Sequence, residues 1–497
     1  MKKKIFALLM MLIMLVGCGG KNESETTITK NKVVVRVSQD PDFLDPHQYV
    51  AAATGEILFN IFEGLLKMDS TGEIHPAIAE SYTISEDALT YTFKIKKGIL
   101  FQNGVEVTPE LVKASYDRFL LKDFPTNLST TEFKKNIEYV KVNGDEVIFK
   151  FKKVSGEGIA AFLDGIVYEE GEKIYGTGPY YLESYVPGEK VTLKRFKDYR
   201  ENEKIGNVEE VDFRIIKDEQ GAIIAFQMGE VDVIPRLLVG YIDMIGENGK
   251  IEKGEQNMVQ LLALNNAVKP LNNLKVRQAI HYAIDKQEII DGASLKEGSI
   301  SGGPISPSVK SIYNVETENL YKTDIEKAKA LLKEAGYPNG LKIKLRAPAN
   351  YQLHVDTAQI IKEQLIKAGI EVEIEEIEWG TWLSDVYKNR NYQMTVIGFE
   401  GKPSPYATVD RYITKDPRNM VNFSNKDYDK VLEKIPYEVD QEKQGKLYKE
   451  AQYILTKNAG SVFLQAPNYI VALNKNIEGF KIYPIYVIDI GSLSIKK

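Results

Sequence analysis

Cysteine is almost absent from this chain: one residue in 497, beside four histidines and two tryptophans. A lone cysteine forms no internal disulfide, and a zinc site built on cysteine and histidine has almost nothing to draw on. Long apolar runs are missing too. None reaches the ~18–20 residues of a membrane-spanning helix, which excludes a multi-pass membrane protein. Nor is there an excess of positive charge: 64 basic residues face 70 acidic ones, for a formal charge of −6. That balance disfavours nucleic acid and anionic membrane surfaces as partners, since both need basic patches. What is present is 43% apolar and 10% aromatic, the make-up of a folded globular protein and neither a disordered chain nor a fibre. At ~100–200 residues per domain the chain holds two to four domains and a large core.

The single cysteine stands in an informative place. Lys2, Lys3 and Lys4 precede an apolar run over residues 5–16, which ends in Leu15-Val16-Gly17-Cys18. A basic start, a short apolar run and small residues at its exit read as an export signal over residues 1–17. The order Leu-Val-Gly-Cys resembles the lipobox of bacterial lipoproteins, which implies that the Cys18 thiol is diacylated and becomes the new N-terminus. The alternative, an ordinary cleavable signal, leaves the lone cysteine at the cut to chance. Loss of residues 1–17 removes three lysines and no acid, so the charge moves to −9. Residues 18–32 are polar and glycine-rich at the start, as a flexible tether should be. A lipid chain, not surface charge, then holds the protein to a membrane on its extracytoplasmic side.

Short strands alternate with helices along the rest of the chain. Residues 33–38 (VVVRVS) read as a strand, followed by a turn-rich stretch over 40–46. Tyr91, Phe93 and Ile95 alternate with Thr92 and Lys94, and residues 147–151 and 191–196 show the same period of two. Asp324 ahead of Ile325, Ala328, Leu331, Leu332 and Ala335, with Gly336 and Pro338 behind, predicts a capped helix with a terminating glycine. Residues 357–368 predict another helix, which ends at Gly369 and passes into a strand over 370–377. Such alternation indicates an α/β or α+β architecture.

No catalytic constellation assembles from the sequence. His47, His75, His281 and His354 are scattered, none two to five residues from another, so a helix-borne metal pair is missing. Gly298-Ser299-Ile300-Ser301-Gly302 puts isoleucine where a nucleophile elbow needs serine. Gly176-Thr177-Gly178-Pro179 lacks the third glycine and the helix of a dinucleotide turn, and reads instead as a tight turn before a strand at Tyr180. Glu209-Glu210 and Glu375-Glu376 read as solvated faces. The expectation is a protein without catalysis, cofactor or bound metal ion.

Ordered segments over nearly the whole mature chain resemble one family. Leu44-Asp45-Pro46-His47 follows the first strand; Phe62-Glu63-Gly64-Leu65 and Pro76-Ala77-Ile78-Ala79-Glu80-Ser81-Tyr82 come next. Residues 89–104 (LTYTFKIKKGILFQNG), the glycine turn Gly176-Thr177-Gly178-Pro179-Tyr180, residues 226–233 (FQMGEVDV) and Val276-Arg277-Gln278-Ala279-Ile280 continue in register. Together they are similar to the family 5 extracellular solute-binding proteins, the receptors of peptide and nickel ABC importers. The resemblance implies an α/β, periplasmic-binding-protein-like fold of two lobes with an additional inserted domain and a ligand cleft between the lobes. It places residues 33–56, 175–264 and 470–497 in lobe I, 57–174 in inserted domain II and 265–469 in lobe III, with hinge crossings near Asn265 and Tyr469. The implied function is a monomeric, lipid-anchored receptor that closes over a peptide and delivers it to ABC permease subunits served by cytoplasmic ATPases. A receptor for nickel or a metallophore is the alternative, and a secreted hydrolase the more remote one.

The segments with most to offer a ligand lie in lobe III. Both tryptophans fall in Glu378-Trp379-Gly380-Thr381-Trp382, where a strand passes into a helix; an aromatic shelf suits peptide side chains, while Trp382 reads equally as core. The loop Ile397-Gly398-Phe399-Glu400-Gly401-Lys402-Pro403-Ser404-Pro405-Tyr406 resembles the ligand loop of dipeptide binders. There the family has a tryptophan and then an aspartate that grips the peptide ammonium; here Phe399 and Lys402 stand at about those places. A lysine repels an ammonium, so either Glu400 takes over the task or Lys402 binds an anionic group of the ligand. Arg346 lies near the point where an arginine pairs the ligand carboxylate in dipeptide binders, a bidentate task. Tyr49 stands where nickel binders place a pocket tyrosine, and reads equally as a packed turn aromatic. Arg411, further along, reads as a surface helix residue. The passage between the strand at 147–151 and Gly176 is shorter than the family's, so contacts that passage would carry are in question.

Overall fold

The computed structural model describes residues 31–49, 51–122, 133–155 and 158–496. Cys18, the export signal and most of the tether lie outside the described residues.

The first lobe grows from a valine-rich strand. In Lys32–Val37, Val33, Val35 and Val37 point to one face and are buried, as the period of two requires. The strand pairs in parallel with Glu210–Ile215, which continues antiparallel through Lys190–Arg195 to Tyr180–Val186. On its other side it meets Val233–Ile234, which pairs with Leu473 and Ala472. Ile57 and Leu58 of the helix Ala52–Leu58 cover one face of this sheet, and Ala222, Ile223 and Phe226 of Glu219–Gln227 cover the other.

The inserted domain is a four-stranded antiparallel sheet in the order Ala79–Ile84, Thr90–Ile95, Glu146–Phe151, Ile137–Asn143. Tyr91, Phe93 and Ile95 share its buried face with Val147, Phe149 and Phe151. Against them packs the helix Pro109–Leu121, started by a proline and by Thr108, whose hydroxyl accepts from Leu111 N at 3.3 Å. Phe162 sits at the centre, its ring 4.5 Å from that of Phe93 and 4.9 Å from that of Phe149. Where this domain joins lobe I, Glu63 is fully enclosed. Its carboxylate accepts from Tyr199 Oη at 3.0 Å and Thr177 Oγ1 at 3.2 Å, and forms ion pairs with Arg200 and Lys67. Burial opposes ionisation there, but Lys67 and Arg200 outweigh it and hold the carboxyl down at about 2.

The other lobe is a second sheet. Met258–Leu264 runs between Met394–Glu400 and the first half of the long strand Ser461–Asn474. Leu341–Pro348 and Ile370–Ile377 pair in parallel, joined by the helix Gln352–Lys367, which begins five residues ahead of the sequence expectation. Ile325–Glu334 forms as its pattern predicts: Asp324 accepts from Lys327 N at 2.9 Å, and Gly336 has the positive φ of +92° that ends such a helix.

Two chain crossings join the lobes. In Ser461–Asn474, Pro467 still pairs with Gly298 of the second sheet while Asn468 pairs with Glu255 of the first. The other crossing lies at residues 256–257, between Gly249–Glu255 in the first sheet and Met258–Leu264 in the second. Met258–Leu264, assigned from the sequence to lobe I, therefore runs in the sheet of lobe III. Its apolar residues pair with Ile397 and Phe463 on either side, which binds it to that sheet.

Candidate functional site

The end of Met394–Glu400 is where the second lobe opens to solvent. Residues 394–397 are buried, whereas Gly398, Phe399 and Glu400 emerge. Two contacts fix the emerging backbone. Gly398 N–H donates to His354 Nε2 at 3.1 Å, and burial pushes that imidazole down to about 4, so it is a neutral acceptor at pH 7. Gly401 N–H donates to Asn257 O at 2.6 Å, and a Cβ at Gly401 would lie 2.1 Å from the Asn257 amide, so any larger residue there would displace that side chain. Asn257 itself sits at the lobe crossing and donates to Pro484 O at 2.9 Å. The loop is thus tied to the junction between lobes.

Beside it lies an open depression of about 300 Å³, lined by Trp379, Trp382, Phe399, Glu400, Lys402 and Arg411 among others. Trp379 and Trp382 stack 5.0 Å apart with ring planes 7° from parallel, and Tyr351 meets Trp379 edge-on at 5.1 Å. Glu378 caps the short helical turn that carries Trp379, accepting from Gly380 N at 2.7 Å. Trp382 starts a π-helical stretch, Trp382–Lys388, a geometry frequent at functional sites. Only 1% of Trp382 is exposed, and its Nε1 donates to Thr395 Oγ1 at 2.9 Å. It is the floor of the shelf; Trp379, half-buried, is the surface.

Charge is distributed unevenly around these rings. Glu400 accepts a hydrogen bond from the Tyr486 hydroxyl of the C-terminal segment. Arg236 stacks on the Tyr486 ring, 4.8 Å from its centre, and pairs with the buried Glu56 of lobe I. Lys402 also borders a smaller cavity of about 40 Å³, where Pro403 and Pro405 meet Pro484 and Met68. The guanidinium of Arg411 lies 4.2 Å from the centre of the Phe399 ring.

Five of the eight ligand-binding residues expected from the sequence therefore gather here: Trp379, Trp382, Phe399, Glu400 and Lys402. Three stand elsewhere. Arg346 Nε bonds Glu375 Oε2 at 3.0 Å and its Nη1 bonds Asn391 O at 2.8 Å, so two of its three nitrogens are already engaged, away from the depression. Tyr406 packs into the lobe III core with its hydroxyl toward Leu432 O, and burial pushes that hydroxyl up to about 12. Tyr49 packs in lobe I against Gly55; burial, followed by the charges of Asp164 and Asp42, raises it to about 12. Arg411 and Tyr486 are members of the site that sequence reasoning passed over. Arg411 read as a surface helix residue but occupies the short turn Asp410–Tyr412, and no sequence signal links Tyr486 to a loop 86 residues earlier.

The other histidines are engaged in structure. His47 lies between Arg118 Nη1 at 2.8 Å and Gly165 O at 3.1 Å, and burial pushes it down to about 4. His281 is buried against the Tyr321 ring at 4.3 Å. His75 joins Asp69 and Glu73 on an exposed hairpin, with ligand atoms within 4.8 Å of one another. Its Nε2 is 2.8 Å from Asp69 Oδ2, so the two side chains already satisfy each other through a hydrogen bond.

Comparison with known proteins bears on the family and the fold. The family model for bacterial extracellular solute-binding proteins, family 5, matches residues 73–420. The glutathione-binding protein GsiB of Shigella flexneri is 26% identical over 477 residues, covering 91% of this chain and 92% of its own. Among solved structures, the ABC transporter substrate-binding protein CtaP of Listeria monocytogenes superposes with a TM-score of 0.82 at 24% identity, over 94% of this chain and 100% of the other. The periplasmic binding protein DppA of Helicobacter pylori, in complex with the peptide STSA, gives 0.72 at 24% identity, over 94% and 98%.

Proposed function

This chain belongs to the bacterial extracellular solute-binding proteins of family 5, and from that premise we propose that it captures peptides between its lobes and delivers them to an ABC import permease. The depression at the mouth of the 394–400 strand carries the reading. It combines a rigid stacked aromatic shelf with charges of both signs, beside the two crossings about which the lobes turn. Aromatic area gives contact tolerant of side-chain identity, and the charges suit the ends of a peptide. A relative named for glutathione, itself a peptide, and a structural neighbour holding a tetrapeptide support the same ligand class. The protein acts as a monomer, without catalysis, held to its membrane by lipid on Cys18.

Thermal unfolding of residues 19–497 with glutathione and with a tryptic digest of casein tests this. Binding confined to the folded state adds about 2.7 kcal/mol at a hundredfold excess over Kd, so the melting temperature rises, and small-angle scattering records a smaller radius on closure. A protein indifferent to both peptides but stabilised by a nickel–histidine complex would be a metallophore receptor instead.

A further inference from the structure

Arg411 stands apart from every other arginine. Each of the others holds a hydrogen bond or an ion pair, whether to an acid, as Arg36 does with Glu219 and Arg214 with Glu230, or to backbone carbonyls, as Arg277 does. Among the described residues Arg411 holds neither, although its Nε is buried from solvent. A donor such as this Nε, cut off from water and without an acceptor, is unfavourable unless something else completes it.

Neither nearby acid completes it. Glu400 accepts from the Tyr486 hydroxyl, and Asp410 pairs with Arg418 through Oδ2 at 2.9 Å while its Oδ1 has no partner; neither acid lies within ion-pair distance of Arg411. Lys402, on the same rim, also lacks a carboxylate within ion-pair distance among the described residues. The depression thus offers two uncommitted cations and one committed acid. Stacking on Phe399 fixes the plane of the Arg411 guanidinium, which prepares its fork for a planar, two-oxygen anion.

We propose that Arg411, seconded by Lys402, forms a carboxylate-binding subsite at the rim of the depression, so that this loop grips an anionic group of the ligand and not its ammonium. The inference rests on the peptide-receptor reading and names the peptide's carboxylate as the group recognised there. Arg346, engaged through Nε and Nη1 by Glu375 and Asn391 and outside the depression's lining, leaves that task to Arg411.

The test uses residues 19–497 and two probes: a tryptic casein digest, and the same digest after its carboxyl groups are converted to methylamides. Wild type is expected to melt higher with the native digest and not with the amidated one. Arg411→Gln should lose most of that shift, Arg411→Lys should keep part of it, and Lys402→Met should weaken it. Without ligand, Arg411→Gln should melt at or above the wild-type temperature, because an unpaired cation is removed; a merely structural arginine would lower it, and that outcome overturns the proposal. Equal shifts with native and amidated digests overturn the subsite but leave the peptide receptor standing. No shift of wild type with either digest overturns both.

Discussion

The hydroxyl of Tyr486 donates to the carboxylate of Glu400, tying the C-terminal segment to the last residue of a strand in the second lobe. Through the Tyr486 ring the contact reaches Arg236 and the buried Glu56 of the first lobe. A side chain at the edge of the depression is therefore joined by a chain of contacts to the body of the opposite lobe.

Tyr486→Phe and Glu400→Gln should for that reason be non-additive. Residues in direct contact couple by about 0.5–3 kcal/mol, so the double variant is expected to melt higher than the sum of the two single losses implies. Additive losses in a double-mutant cycle by thermal or urea unfolding would show that the two side chains act independently.

Glu63→Gln should rank among the most damaging single changes to stability. It leaves Arg200 enclosed opposite a neutral amide, and breaking a buried pair costs about 3–5 kcal/mol. Acid should act in the same direction. Because the folded carboxyl titrates at about 2, below its ordinary 4.5, the stability it contributes is complete above 4.5 and is lost as pH falls toward 2. Urea unfolding between pH 2 and 7 should show a shallower acid loss in Glu63→Gln than in wild type.

Asp164 behaves in the opposite sense. The residue is exposed, yet the surrounding protein desolvates its carboxyl enough to raise it to about 6. Since the folded form binds its proton more tightly than the unfolded chain, ionisation between about pH 4 and 6 costs stability. Asp164→Asn should raise the melting temperature at pH 7.5 and leave it unchanged at pH 4, with an effect moderated by solvent access. An equal change at both pH values would mean that titration is not its origin.

Cys18→Ala should release the protein from the membrane fraction. Two acyl chains hold a protein firmly because each buried methylene contributes about 0.8 kcal/mol. Fractionation with metabolic labelling by a fatty acid checks it: wild type should sediment and carry label, and the variant should do neither. A variant that still sediments would mean that something other than acyl chains retains it.

What proved legible in the sequence was local. The helix Ile325–Glu334 is written in its own residues, since an aspartate cap, an apolar stripe and a terminating glycine act within a few positions of one another. The buried face of Tyr91, Phe93 and Ile95 is likewise a matter of period two. The shelf and the ligand loop could be picked out because Trp379 and Trp382 share one turn, and Phe399, Glu400 and Lys402 one loop.

Tertiary structure decided which of these groups meet and which are already spoken for. The pairing of Arg346 with Glu375 follows from parallel register, which sets the two opposite each other, and register depends on where two strands dock, not on either strand alone. That Arg411 has no carboxylate within ion-pair distance is decided by packing as well, which turns Glu400 toward Tyr486 and Asp410 Oδ2 toward Arg418. The place where the chain passes between lobes is likewise a matter of pairing: Met258–Leu264 is apolar enough for either sheet and joins the one in which Met394–Glu400 and Ser461–Asn474 flank it. Caps and periodicities act over one or two turns of chain and can be read along it, whereas a charge is left free or paired by neighbours that only the folded lobes bring within reach.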